Sequence, residues 1–298
     1  MIDRRSVLAA GALVATACAA TPLAKSASTS PKSVRERLSG FALNTESWFL
    51  DRPFIERFDA AARAGFSHVE FWALNDQDRS AGKLAKVAAD AGVSIAQIVG
   101  DAPALARTDT RGEFLENCKR AVERAKILET DVITFVGHQN VDSISKADSL
   151  TAYTDHMVAA APVFADAQLF AAIEPFNPYD HPGHFIYGSR DAVDVVRTVG
   201  SPFIKLTWDL FHMQRAEGEL IGNLREAADT ICYAQIADAP DRGQPGTGDV
   251  NYANVIAALR AAGYEKPIGL EFWAKDGDYD RAVFDMLALS DAVQLAAG

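Results

Sequence analysis

The chain has 298 residues, room for one large domain or two small ones, and 49% of them are hydrophobic, enough for a substantial core. A formal net charge of −11 argues against nucleic acid or an anionic membrane as a partner, since both reward clustered Lys and Arg. Three cysteines, Cys18, Cys118 and Cys232, do not make a disulfide framework.

The first thirty residues read as a leader, not as fold. Arg4 and Arg5 precede an apolar run over 7–20 that is too short to span a bilayer. Small residues and Pro22 follow, then a polar stretch over 25–33. Charged start, short apolar middle and small-residue exit are the parts of an export signal. The Arg4-Arg5 pair resembles a twin-arginine leader, which predicts a periplasmic protein carried across already folded. Lipidation at Cys18 is disfavoured, because Ala15 stands where a larger aliphatic is usual.

Residues 31–298 read as one domain in which short apolar runs alternate with amphipathic stretches. A strand over 41–45 is followed by Pro53, which opens a helix with Phe54, Ile55, Phe58, Ala61 and Ala62 at helical spacing, closed by Gly65. The chain continues with strand 68–72, helix 81–91 stopped by Gly92, strand 93–99, helix 113–128, strand 132–136 and helix 150–165. Strands over 169–173, 204–208, 231–236 and 268–272 then alternate with helices over 191–199, 220–228, 252–262 and 280–296. Eight strand–helix units and strands apolar on both faces predict an α/β fold, a single (β/α)8 TIM barrel. An open doubly wound sheet is disfavoured, because no Gly-x-Gly-x-x-Gly turn follows the first strand.

Active groups in such a barrel sit at the C-terminal ends of the strands. The last four strands end at or close to Glu174, Asp209, Gln235 and Glu271. Their separations of 35, 26 and 36 positions are each about one strand–helix unit. Neighbouring strands lie ~4.8 Å apart, so four consecutive strand ends can meet at one ion. Any one of these residues alone reads as a loop cap or a salt-bridge partner. Three carboxylates packed together repel unless a cation holds them. Three carboxylates and one amide oxygen suit Mg2+ or Mn2+ better than tetrahedral zinc.

Other polar residues fall in the same loops. Asn177, His181 and His184 follow Glu174, with a solvated loop as the alternative reading for the two histidines. His212 lies one helical turn beyond Asp209. Arg242 sits in the glycine-rich stretch 241–248, which lacks the Gly-Lys-Ser/Thr ending of a phosphate loop. Its expected use is a bidentate contact to a substrate carboxylate or hydroxyl. His68, His138 and His156 read as structural or exposed. Glu70 either reaches the mouth or pairs with a neighbouring cation, and Cys118 and Cys232 read as buried small apolar residues.

Glu174-Pro175-Phe176-Asn177 and Asp180-x-Pro182-Gly183-x-Phe185 resemble the hydroxypyruvate isomerase branch of the xylose isomerase-like TIM barrels. So do Asp209-x-Phe211-His212-x-Gln214-Arg215, Gln235-Ile236-Ala237, Arg242-Gly243-x-Pro245 and Asn251-Tyr252. The likeness runs from about Phe41 to the C-terminus and is strongest over 170–272. It implies a divalent metal held by Glu174, Asp209, Gln235 and Glu271, with Glu174 and Glu271 also moving protons. The implied activity is an aldose–ketose isomerisation, hydroxypyruvate to 2-hydroxy-3-oxopropanoate, through a cis-enediolate. The implied substrate contacts are His212, Arg242, Asn177 and His184, and the partner is a small keto acid, hydroxy acid or sugar. A homo-oligomer is compatible with the chain.

Two features depart from the pattern. Phe272-Trp273-Ala274 stands where the family commonly has Tyr-Lys-Pro, and the leader is unusual for such an enzyme. They leave open a C3-epimerase or another enolising enzyme on a larger keto sugar. A non-catalytic exported sugar-binding protein is a more distant alternative, opposed by the retention of all four expected ligands. An abasic-site endonuclease on the same barrel wants several His ligands and a basic groove, and this acidic chain supplies neither.

Overall fold

The computed structural model describes residues 32–72, 74–75 and 77–296. The expected export leader, with Arg4, Arg5 and Cys18, lies outside the described residues. Eight strands pair in chain order, all parallel, and β8 closes on β1. They are β1 (Phe41–Asn44), β2 (His68–Glu70), β3 (Ser94–Val99), β4 (Val132–Phe135), β5 (Phe170–Ile173), β6 (Ile204–Asp209), β7 (Ile231–Ile236) and β8 (Ile268–Leu270). The helices are α1 (Val34–Leu38), α2 (Glu56–Arg63), α3 (Ala81–Ala91), α4 (Arg111–Leu128), α5 (Lys146–Ala167), α6 (Ser189–Val199), α7 (Leu210–Ala216), α8 (Leu220–Ala227), α9 (Tyr252–Ala261) and α10 (Tyr279–Ala296). The expected (β/α)8 TIM barrel is the observed fold.

Its strands bury both faces. Outward residues such as Leu43, Ile133, Ile173 and Leu206 pack into a continuous core with the helices. Inside the barrel, Val132, Ala172, Cys232 and Tyr233 form a separate small cluster. Thr134 and Thr207 meet by a buried 2.7 Å hydrogen bond between side chains of β4 and β6. Cys118 and Cys232 are free and buried, and burial pushes both thiols up to about 12. Among the described residues, no helix is long and apolar enough to cross a membrane.

Two helices lie outside the expected pattern. Helix α1 starts at a capping box, in which Ser33 Oγ accepts from Glu36 N and Glu36 Oε2 accepts from Ser33 N. Arg37 then ties it to Asp291 and to the carbonyl of Leu287 on α10. Gly65 turns beneath it at φ +99°, and a Cβ there would lie 2.6 Å from Val34 Cγ1. Helix α7 is capped by Asp209, whose Oδ1 accepts from Phe211 N at 2.9 Å. One residue therefore ends β6 and starts the helix that carries His212. Helix α5 begins four residues before the expected start at 150, because Ser145 caps a polar first turn that has no apolar stripe.

Candidate active site and metal centre

Glu174 follows β5, Asp209 ends β6, Gln235 lies in β7 opposite Asp209, and Glu271 follows β8. A cavity of about 480 Å³ opens beside them. Glu174, Glu271, His181, His212, Arg242, Trp72 and Trp273 are among its lining residues. Asp209 and Gln235 are buried and do not line it themselves.

A guanidinium holds two of the acids. Arg242 Nη2 lies 3.0 Å from Asp209 Oδ2 and 3.2 Å from Glu271 Oε1. Trp72 Nε1 donates to the same Glu271 oxygen at 3.0 Å. Burial, then the charges of Glu271 and Asp209, push the Glu174 carboxyl well above the usual range. Burial raises Glu271 to about 8 against the opposing pull of Arg242, and burial also raises Asp209. His212 moves the other way, well below its ordinary value, through burial and then the Arg242 charge. Three carboxylates in this position need protons or a cation to be stable. Ligand atoms of Glu174, Asp209 and His212 all lie within 4.8 Å of one another, a spacing that could hold a metal ion.

Gln235 is oriented from behind. Its Nε2 donates to Glu70 Oε1 at 3.1 Å, and its own Oε1 is buried without a hydrogen-bond partner. Glu70 also receives Asn44 Nδ2 at 2.9 Å and the Tyr233 hydroxyl at 2.6 Å. Glycine at 269 makes room, for a Cβ there would lie 2.7 Å from Gln235 Cγ and closer still to Glu70 Oε2. Burial pushes Glu70 up to about 7, with the three hydrogen bonds opposing. Neither expectation for Glu70 holds: it does not line the cavity, and its partners are two amides and a phenol, not a cation.

Two of the four expected substrate contacts lie off the cavity lining. Asn177 is fully buried and spends its amide on Tyr179 N, Asp180 N and His212 Nδ1. His184 Nδ1 meets His138 Nδ1 at 3.0 Å, and His138 Nε2 meets the Glu174 carbonyl at 2.8 Å. That chain buttresses the end of β5, and burial pushes His138 down to about 3. His181 lines the cavity in their place, stacked on Phe176 at 4.0 Å between centroids. His212 and Arg242, the other two expected substrate contacts, line it.

Asp238 anchors the loop that carries Arg242, a role the sequence pattern alone does not declare. Its carboxylate accepts from Gly246 N and Gly248 N at 2.8 and 2.9 Å and from Val250 N at 3.1 Å. The glycine-rich loop thus wraps a buried aspartate, and Arg242, at φ 56°, projects from it. An acid opening a Gly-rich loop was the available signal, since Asp side chains commonly bond to nearby backbone N–H groups.

The profile of the xylose isomerase-like TIM barrel family matches residues 58–289. The chain is 29% identical to hydroxypyruvate isomerase of Escherichia coli over 238 residues, covering 78% of this chain and 92% of that protein. It is 28% identical to 2-oxo-tetronate isomerase of Cupriavidus necator, covering 80% and 94% respectively. A crystal structure titled AP endonuclease, family 2, from Brucella melitensis superposes with a TM-score of 0.73 at 26% identity, covering 78% of this chain and 93% of that one. The chain belongs to the xylose isomerase-like TIM barrel family, and its curated relatives make it an enzyme of the isomerase class.

Proposed function

We propose that this xylose isomerase-like barrel is a metal-dependent aldose–ketose isomerase, an intramolecular oxidoreductase that interconverts hydroxypyruvate and 2-hydroxy-3-oxopropanoate. The observation that carries the reading is the set of three buried carboxylates from β5, β6 and β8 beside one cavity-lining guanidinium. The donor set fits a hard divalent cation. Gln235 Oε1 is buried and unpartnered, and burial makes the carboxylates favour neutralisation. Glu174, Asp209, Gln235 and Glu271 would hold Mg2+ or Mn2+. Such an ion would supply electrostatic stabilisation of an enediolate.

The chain's own groups handle the protons. One carboxylate removes a proton from the hydroxymethyl carbon of hydroxypyruvate, and a proton is returned to the neighbouring carbonyl carbon. The hydroxyl proton passes to the former carbonyl oxygen, so atoms and charge balance. Glu174 and Glu271, the two strand-end carboxylates among the cavity-lining acids, serve these transfers. On Glu271, Trp72 and Arg242 both hold Oε1, so Oε2 is the freer oxygen. Arg242 Nη1, which is not among the atoms that hold Asp209 and Glu271, donates to the substrate carboxylate.

Proton NMR of the Mg2+- or Mn2+-loaded protein with hydroxypyruvate in deuterated water tests the proposal. Deuterium incorporation and growth of the aldehyde signal are expected. No exchange and no interconversion would sink this substrate. A second reading, an enolising enzyme on a larger keto sugar such as a C3-epimerase, is favoured by the cavity's 480 Å³ and its Trp72 and Trp273 walls, generous for a three-carbon acid. A ketose panel under the same conditions separates the two. Residues 1–30 are proposed as a twin-arginine export signal, for which replacing Arg4 and Arg5 by Lys should retain the protein in the cytoplasmic fraction.

A further inference from the structure

We infer that Asn177 fixes the tautomer of His212, so that the imidazole presents an N–H, not a lone pair, to the cavity. The deduction rests on which atoms are able to donate. One end of the Asn177 amide faces Tyr179 N at 3.0 Å and Asp180 N at 3.1 Å. Both are backbone N–H donors, so that end is the oxygen. The other end is then Nδ2, a pure donor, and it stands 2.7 Å from His212 Nδ1. Two N–H groups do not face each other at hydrogen-bond distance. His212 Nδ1 is therefore the acceptor and carries no proton. An imidazole keeps at least one N–H, and here only Nε2 is left to hold it.

That Nε2 is buried and has no hydrogen-bond partner. It lies 3.5 Å from Asp209 Oδ2 and 3.8 Å from Glu174 Oε1, on a residue that lines the cavity. The spacing of Glu174, Asp209 and His212 suits chelation, but a protonated ring nitrogen has no lone pair to give a metal. His212 is thus a donor aimed at an oxygen of a bound molecule, and the cation falls to oxygen ligands alone. Asn177 is a positioning residue that acts through His212. The substrate half of this inference rests on the isomerase reading, whereas the tautomer does not.

The test uses the protein with 15N-labelled histidine and long-range proton–nitrogen correlation spectra, taken with and without Mg2+. His212 is assigned by its loss in H212Q. Nδ1 in the unprotonated range and Nε2 in the protonated range are expected in both states. A proton on Nδ1, or an Nε2 signal shifted by metal ligation, overturns the inference. In Asn177→Asp the donor becomes an acceptor, so the proton should move to Nδ1 and free the Nε2 lone pair. Affinity for Co2+ should then rise at least tenfold relative to Mg2+, with a change in the cobalt visible spectrum. An unmoved proton in this variant also overturns it. If N177D does not fold, the wild-type spectra alone decide. Absence of turnover with the expected wild-type tautomer counts against the isomerase reading and leaves this inference standing.

Discussion

Strands β5 to β8 lead into the whole ionisable part of the cavity lining, Glu174, Asp180, His181, His212, Asp241, Arg242 and Glu271. Strands β1 to β4 lead into Trp72, Val99 and Val136, an apolar wall. The first half still reaches the chemistry, though from behind. Asn44 and Glu70 orient the Gln235 amide, Trp72 holds Glu271, and His138 holds the carbonyl of Glu174. The second half supplies the ionisable lining, and the first half helps to orient it, beside contacts such as Asn177 to His212 within the second half. Part of the orientation thus comes from residues far apart in the chain but adjacent across a closed sheet.

The sharpest way to break this comparison is to remove one of the two carboxylates proposed to move protons, both in the second half. Glu174→Gln or Glu271→Gln should lower kcat by about 10²–10⁴, the ordinary contribution of a positioned acid or base. Val99→Ala on the opposite wall should leave kcat within about threefold, as its contacts do not change between ground and transition state. Steady-state kinetics on the three variants checks this, and comparable losses from both walls would refute the asymmetry.

A smaller effect is expected from behind the site. Glu70→Leu removes the acceptor of the Gln235 amide and should weaken Mg2+ or Mn2+ binding by about 10–100-fold, the usual cost of disturbing the support of a metal ligand. Calorimetric titration measures it. Unchanged affinity would confine the metal site to the second half.

The smallest expected effect sharpens the comparison through pH. Burial raises Glu271 to about 8 and Glu70 to about 7, above the ordinary glutamate value of about 4.3. The folded chain therefore binds more protons than the unfolded one in this window. Its metal-free stability is highest below about pH 4 on account of these groups and is lost as pH rises toward 8. A cation competes with those protons, so the rise in Tm on adding Mg2+ should be larger at pH 8 than at pH 6 by a few degrees. Differential scanning fluorimetry at the two values reads it, and an equal or reversed shift contradicts the assigned site.

Much of this was legible in the sequence. Apolar strands spaced by amphipathic helices, punctuated at Gly65, Gly92, Gly200 and Gly263, predict the barrel, and the interval between Glu174, Asp209 and Glu271 predicts that three acids gather at one end. Directions of side chains in loops were not legible. Asn177 and His184 follow Glu174 closely, but turn hydrogen bonds, not a strand period, decide where they point. The setting of Glu70 is not legible in the sequence because its partners Tyr233 and Gln235 are 163 and 165 residues away. Helix α7 has only seven residues, too few for a periodic apolar stripe to declare itself.

The vacancy at Gly269 has an evolutionary consequence. Positions 70, 235 and 269 lie on three different strands, yet they share one small volume inside the barrel. Contacting positions of this kind do not mutate independently. A variant library that changes Gln235 alone will mostly sample clashes or an unanswered Glu70 carboxyl. Libraries that vary the three together have access to new side-chain sets, so the route by which this site can change its chemistry passes through a residue with no side chain.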